Sequence, residues 1–336
     1  MKKITLAQGN GGRETNELIE KIFEKHLGSF LLAKGEDAGR FCVPMTQAYC
    51  VSTDSYVVSP IFFAGGDIGK LSVCGSCNDV AMMGAKPMYL NVGFILEEGL
   101  EIASLEKILH SMAQELNHAG VSILSADTKV VPRGNVDKIF INTTAIGAVV
   151  KEGISAKNLH DGDVIILSSH IGSHGCVIFS SRAEIDLHSD LKSDCKQLYP
   201  MLAGIFETDI SICALRDATR GGLAAVLNEW ANASGVDIVL ESEKIPVLKE
   251  VQGVCEILGL EPYSLANEGV CVLCVKACDA KKVCEMLQSH PDGREAVVIG
   301  KVQARHSDTP RVILSNPWGT KRFLDMPQGE LLPRIC

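Results

Sequence analysis

What most constrains this chain is its rhythm. Short strand-like runs and helix-period segments recur in two halves, and a polar stretch separates them. Residues 49–53 read as a short strand ending at Asp54, residues 69–84 as a helix with small residues on its faces, and residues 87–95 as a strand. Leu105, Ile108, Leu109, Met112, Leu116 and Ala119 recur at helical spacing. Glu106, Lys107, Gln114 and Glu115 fall between them, which is the pattern of an amphipathic helix. Residues 121–124 and 139–149 read as strands. Residues 151–163 are richer in Gly, Asp, Lys and His and mark a domain boundary. The second half restarts with a strand at 164–167 and a glycine-broken turn at 172–175. A helix at 219–231 and strands at 236–240, 269–275, 297–302 and 311–314 follow. Residues 316–336 carry Pro317, Gly319, Pro327, Gly329 and Pro333 with little periodicity. Proline and glycine at that density break both regular structures, so this stretch reads as a mobile or extended tail. The expected division is 1–153, 154–315 and the tail 316–336.

The 336 residues fit about two domains at roughly 100–200 residues each. Such a length buries a full core without disulfide staples. A net charge of −9 excludes a nucleic-acid binder working through bulk electrostatics, while leaving room for a small basic pocket. No apolar run approaches the roughly 18 residues of a membrane helix. Residues 4–12 are too mixed for a signal sequence. The expectation is a soluble, cytoplasmic protein that binds neither nucleic acid nor membrane. Thirteen cysteines, an odd number, argue against a secreted disulfide framework. Most lie among Val, Leu and Ala, where a thiol acts as a small core residue.

Several segments carry chemistry. Gly9-Asn10-Gly11-Gly12-Arg13-Glu14 precedes a helix at 16–23. Backbone amides at such a junction cradle phosphate, and the same residues also make a flexible turn. The stretch from Ala64 to Leu71 nearly fits a P-loop, but Leu71 stands where the Mg²⁺-binding hydroxyl is required, so that motif is rejected. Asp37, Asp54, Asp67, Asp79 and Asp127 recur at strand ends and turns. Converging, they would suit a Mg-nucleotide site; separately, they are ordinary turn and cap residues. Ser125-Ala126-Asp127-Thr128-Lys129 groups a carboxylate, a hydroxyl and an ammonium after a strand, as a phosphate site or as an exposed turn. Cys74-x2-Cys77 and Cys271-x2-Cys274 invite zinc. Residues three apart on a strand face opposite ways, which argues against the second pair, and the apolar neighbours of the first favour packing. Cys336 ends the sequence, either as an incidental residue or as a carrier thiol.

Taken together, these motifs resemble the hydrogenase maturation HypE family. The segments are Gly9-Asn10-Gly11-Gly12, Ser52-Thr53-Asp54, Gly65-Gly66-Asp67-Ile68-Gly69-Lys70-Leu71 and the run from Asn78 to Ala85. They continue with Ala126-Asp127-Thr128-Lys129, Arg216-Asp217-Ala218-Thr219-Arg220-Gly221-Gly222, Asn267-Glu268-Gly269 and Pro333-Arg334-Ile335-Cys336. The order holds over essentially the whole chain. The wider superfamily is that of aminoimidazole-ribonucleotide synthetase, selenophosphate synthetase and thiamine-monophosphate kinase.

The resemblance implies a two-domain α+β fold of the aminoimidazole-ribonucleotide-synthetase type. The N-terminal domain would bind ATP and dimerise, its sheet pairing into a barrel in a homodimer, and the C-terminal tail would be mobile. It further implies that Cys336 receives a carbamoyl group from HypF, that ATP drives its dehydration to a thiocyanate, and that the cyano group passes to iron on HypC–HypD for [NiFe]-hydrogenase. By motif match, Asp37, Asp54, Asp79 and Asp127 would hold Mg²⁺ and the triphosphate, with Gly11, Gly12, Asp67 and Thr128 beside them. Lys129 would neutralise developing charge, and Glu268 would act as the base. One departure stands out: Glu36-Asp37-Ala38-Gly39 replaces the family's Asp-Asp-Ala-Ala. Two other readings remain open at this point. One is a superfamily kinase or synthetase acting on a free small molecule; the other is a non-enzymatic thiol carrier.

Overall fold

The computed structural model describes residues 3–9, 13–32, 41–42, 44, 47–182, 190–328 and 334–336, with the backbone alone at Arg13. The chain forms two compact units, one of residues 1–81, 85–149 and Cys336, the other of residues 82–84 and 150–335.

In the first unit a helical stretch runs through α1 (Arg13–Leu18), a π-helical turn (Ile19–Phe23) and α2 (Glu24–Leu27). Strand β1 (Tyr49–Tyr56) follows, then a short ribbon of β2 (Phe62–Phe63) and β3 (Gly66–Asp67) and helix α3 (Ile68–Met82). Next come β4 (Ala85–Glu97), α4 (Ile102–Ala119), β5 (Ser122–Val131) and β6 (Ile139–Val149). The four long strands form a sheet in the order β1-β6-β4-β5. Only β4 and β5 pair in parallel, so the chain must cross over between them, and α4 makes that crossing. Leu105, Ile108, Leu109, Met112 and Leu116 form its buried stripe, as their spacing predicts. Gly120, in the left-handed region, ends the helix. Helix α3 lies close against α4. A Cβ on Gly69 would sit 2.3 Å from the Ile108 carbonyl, so only glycine lets the two backbones approach this far.

The second unit contains β7 (Val164–Leu167), α5 (Ser173–Arg182), α6 (Tyr199–Phe206), β8 (Ile212–Asp217), α7 (Gly222–Ser234) and β9 (Asp237–Glu241). It continues through α8 (Lys249–Leu258), β10 (Cys271–Val275), α9 (Ala280–Gln288), β11 (Val297–Gln303), β12 (Val312–Ser315) and β13 (Lys321–Phe323). Its seven strands run in the order β13-β12-β9-β11-β7-β10-β8, and β12 with β9 is the single parallel pair. Strand β10 is wholly buried. Val272 and Cys274 pack with Ile165, Leu167 and the α7 residues Leu223, Leu227 and Trp230 in one core. Each large side chain buried there contributes about 1.5–3 kcal/mol.

Three local expectations change. Residues 125–129 lie within β5 rather than after a strand, because parallel pairing with β4 continues to Val131 while the side chains turn polar. The expected turn at 172–175 is Gly172, with positive φ, followed directly by the first turn of α5. The segment read as an irregular tail contains β13, which pairs with β12, and Leu324 beside it joins the core. The two cysteines of neither CxxC pair group together at metal-ligand spacing among the described residues, although Cys274 lies within 4.8 Å of Asp163 and Cys213. Cys74 and Cys77 are buried in α3, and Cys271 and Cys274 are buried in β10 with only Cys274 in the α7-side core.

Candidate active site

Strand register decides where the acidic residues of the first unit point. Asp54 pairs with Thr143 and Thr143 with Val92, both buried beneath the helices. Asp54 therefore shares the helix-covered side of the sheet with Ser52 and Tyr56. On that side the Ser52 hydroxyl donates to Asp79 Oδ2 at 2.6 Å and ties β1 to α3. Asp54 and Asp79 are both half-buried.

Asp127 lies on the opposite side. It pairs with Gly93, Gly93 with Asn142, and Asn142 with Ser55. The strand spacing puts Asp127 about 14 Å across the sheet from β1. Lys129, two residues on, shares its face, and its ammonium donates to both Asp127 carboxylate oxygens at 2.6 Å. That bond holds the Asp127 carboxyl below the usual range. Thr128 points the other way, pairing with buried Phe94. Within one chain, then, Asp54 and Asp79 lie on one face and Asp127 and Lys129 on the other. These carboxylates form no single cluster of metal-ligand spacing among the described residues. Gly11, Gly12, Glu36 and Asp37 lie outside the described residues.

Asp67 has a local task. Its Oδ1 accepts from the Gly69 and Lys70 amides at 2.8 and 3.0 Å, closing the N-terminus of α3, and from the Ser111 hydroxyl of α4. Burial raises its pKa, and these hydrogen bonds work against that rise. Lys70, the lysine of the near P-loop, lies 3.7 Å from Glu115.

In the second unit Glu268 is buried, with 3% of its surface exposed. The residues around it explain the Asn-Glu-Gly motif. Asn267 bonds the Gly172 amide and the Ala218 and Leu265 carbonyls. Gly269 leaves no room for a Cβ, which would sit 1.9 Å from the Asp194 carbonyl. Asp194 Oδ2 accepts from the Glu268 and Gly269 amides, and its Oδ1 from the His174 amide at the start of α5.

The end of the chain is ordered against named partners. In the second unit, His174 Nε2 bonds the Ile335 carbonyl at 2.8 Å, and Arg182 bonds the Arg334 carbonyl. In the first unit, the Val57 amide donates to the Cys336 carbonyl at 3.0 Å. Cys336 is buried. His174, Arg182, Ser193 and Asp194 are absent from the residues singled out by sequence. In sequence His174 reads only as part of the Gly172-Ser173-His174-Gly175 turn.

The family profile for the N-terminal domain of AIR synthase related proteins matches residues 35–149, and that for the C-terminal domain matches residues 160–313. The chain is 44% identical over 341 residues to carbamoyl dehydratase HypE of Escherichia coli strain K12, covering all of both sequences. It superimposes with a TM-score of 0.94, at 40% identity and 99% of each chain, on a crystal structure of hydrogenase maturation protein HypE in complex with ATP. It also matches the HypE of a HypE–HypF complex, with a TM-score of 0.79 at 40% identity over 94% of this chain and all of that one. Among the described residues no helix is long and apolar enough to cross a membrane.

Proposed function

Since the chain belongs to the carbamoyl dehydratase HypE family, we propose that it dehydrates an S-carbamoyl group on its own Cys336 to a thiocyanate, using ATP, in hydrogenase maturation. The observation that carries this reading is the full-length match to a carbamoyl dehydratase. It is supported by the burial of Cys336 beneath defined hydrogen bonds to the residues before it.

Loss of water from a thiocarbamate needs two things. The carbonyl oxygen must become a leaving group, and two N–H protons must go. Transfer of a phosphoryl group from ATP to that oxygen supplies the first. The C–O bond then breaks with departure of phosphate, and the nitrogen lone pair completes the C≡N bond. ADP is released as the oxygen is phosphorylated; Glu268 takes one proton from the nitrogen, and the second leaves with the departing phosphate as the C≡N bond forms. Glu268 is buried in the second unit, where its carboxylate would act out of bulk water. Lys129 carries the positive charge that would stabilise the phosphoryl oxygens, and Asp127 holds its ammonium in place.

A magnesium nucleotide would draw on carboxylates from both faces of the sheet. Mg²⁺ takes one or two carboxylates, with phosphate oxygens and water completing its shell. Asp54 and Asp79 offer two half-exposed carboxylates on one face; Asp37 and Asp127 are the further candidates, with Gly11, Gly12 and Thr128 near the phosphates. When bound, the ion neutralises triphosphate charge.

Division of the carboxylates between two sheet faces favours a site completed by a second copy of the chain. The sheet's edge strands are β1 and β5; residues 30–32 pair with β5 at Ile123, whereas Val51 on β1 is 64% exposed. A homodimer joining these sheets into a barrel would cover them. HypF is the proposed carbamoyl donor, since a HypE is known in complex with HypF. The HypC–HypD complex is the proposed cyano acceptor.

Intact-mass measurement tests the reaction. After loading with HypF, carbamoyl phosphate and ATP, the protein should gain a carbamoyl group and then lose one water. A carbamoyl adduct stable to ATP, or full activity in Cys336→Ala, would contradict it. Activity on a free small acceptor that survives removal of residues 332–336 would favour the superfamily-kinase reading instead.

A further inference from the structure

His174 is fully buried, yet both ring nitrogens are used. Nε2 lies 2.8 Å from the Ile335 carbonyl oxygen, and Nδ1 lies 2.8 Å from Ser193 Oγ. A carbonyl only accepts, so Nε2 carries the hydrogen. Burial lowers the pKa of the imidazole, which leaves Nδ1 as an acceptor for the Ser193 hydroxyl. Ser193 in turn accepts from the Cys195 amide at 3.1 Å, so its hydroxyl hydrogen is free to point at the ring. The His174 amide is fixed by Asp194, the residue that also binds the amides of Glu268 and Gly269.

One helix therefore grips two successive peptide groups. From the first turn of α5, His174 holds the Ile335 carbonyl; from its last residue, Arg182 holds the Arg334 carbonyl. The Ile335 side chain is buried as well. Arg334 is bent into the left-handed region at φ 54°, where a side chain bearing a Cβ is disfavoured.

We propose that His174 is a positioning residue, a neutral latch that with Arg182 docks the Arg334–Ile335 backbone and so fixes the place of Cys336 for the ATP-dependent step. It reads main-chain carbonyls and not the sulfur. The latch accordingly holds a free thiol, a thiocarbamate or a thiocyanate alike, and docking alone does not report loading. The role in dehydration rests on the function proposed above; the docking itself does not.

Two readouts separate those claims. The first is release of Cys336 and Ile335 by carboxypeptidase Y, followed by mass. One ordinary hydrogen bond corresponds to roughly three- to tenfold in the docking equilibrium. His174→Ala and Arg182→Ala should each speed trimming by about that factor, and His174→Gln, which keeps an N–H donor, should recover part of the loss. Trimming within twofold of wild type in both alanine variants would overturn the latch. Should His174→Ala fail to fold, Arg182→Ala decides the point alone. The second readout is single-turnover loss of water from the carbamoylated protein. His174→Ala should slow it by roughly tenfold while HypF-dependent loading and ATP affinity stay at wild-type values. Faster trimming with unchanged dehydration would remove the positioning role. If wild type trims slowly and never dehydrates, the function reading has failed and the latch stands on trimming.

Discussion

At the residue scale, the proposals rest on two buried groups, Glu268 as the proposed base and His174 as the proposed latch. Glu268→Gln keeps the shape of the side chain and removes its basicity. The expected result is ATP binding near wild type with dehydration slowed by about 10²–10⁴-fold, read by single-turnover mass measurement. Unchanged turnover would take Glu268 out of the base role. His174 makes a pH prediction. Burial lowers its pKa, the Asp194 carboxylate and the Ile335 carbonyl oppose that shift, and Arg182 adds to it. The unfolded chain therefore binds a proton near the ordinary pKa of about 6.5 that the native state refuses. Stability from this residue is complete above that value and declines as pH falls below it. Urea unfolding at pH 7.5 and 5.5 should show a larger loss for wild type than for His174→Gln; equal losses would count against a neutral buried ring. Glu268 is singled out only through the resemblance of its Asn267-Glu268-Gly269 motif to the family. His174 stayed hidden because its significance lies in a carbonyl 161 residues away.

At the element scale, patterned segments were readable and polar ones were not. The apolar stripe of α4 and the run of β6 emerge at once from periodicity. The outer half of β5 does not, since Asp127 and Lys129 face the open side of the sheet and only the register of β4 extends the strand. Strand β13 was equally hidden, being a short, exposed edge strand among prolines and glycines. Asp67 shows the converse case. Its motif suggests a nucleotide ligand, whereas its carboxylate bonds two amides at the head of α3 and a hydroxyl of α4. Asp67→Ala should therefore cost about 1–3 kcal/mol of stability in denaturant unfolding, beyond any effect on ATP. A variant with wild-type stability and weakened ATP binding would reverse that assignment.

At the scale of the whole molecule, the chain divides its candidate nucleotide residues between two faces of one sheet. Composition said nothing of this, because the division depends on strand order. A second copy would resolve it. Light scattering at micromolar protein should give the mass of a dimer; a monomer would contradict the shared barrel. The two-unit organisation followed from length and patterning. Convergence of acids from different strands did not, since no local pattern records it. The central claim concerns a single sulfur atom, and the most direct measurement is the mass of the C-terminal peptide bearing Cys336, taken after HypF-dependent loading with and without further ATP. The expected result is a carbamoyl adduct without ATP and the same adduct less one water with it. A carbamoyl adduct that persists unchanged in ATP would contradict the claim.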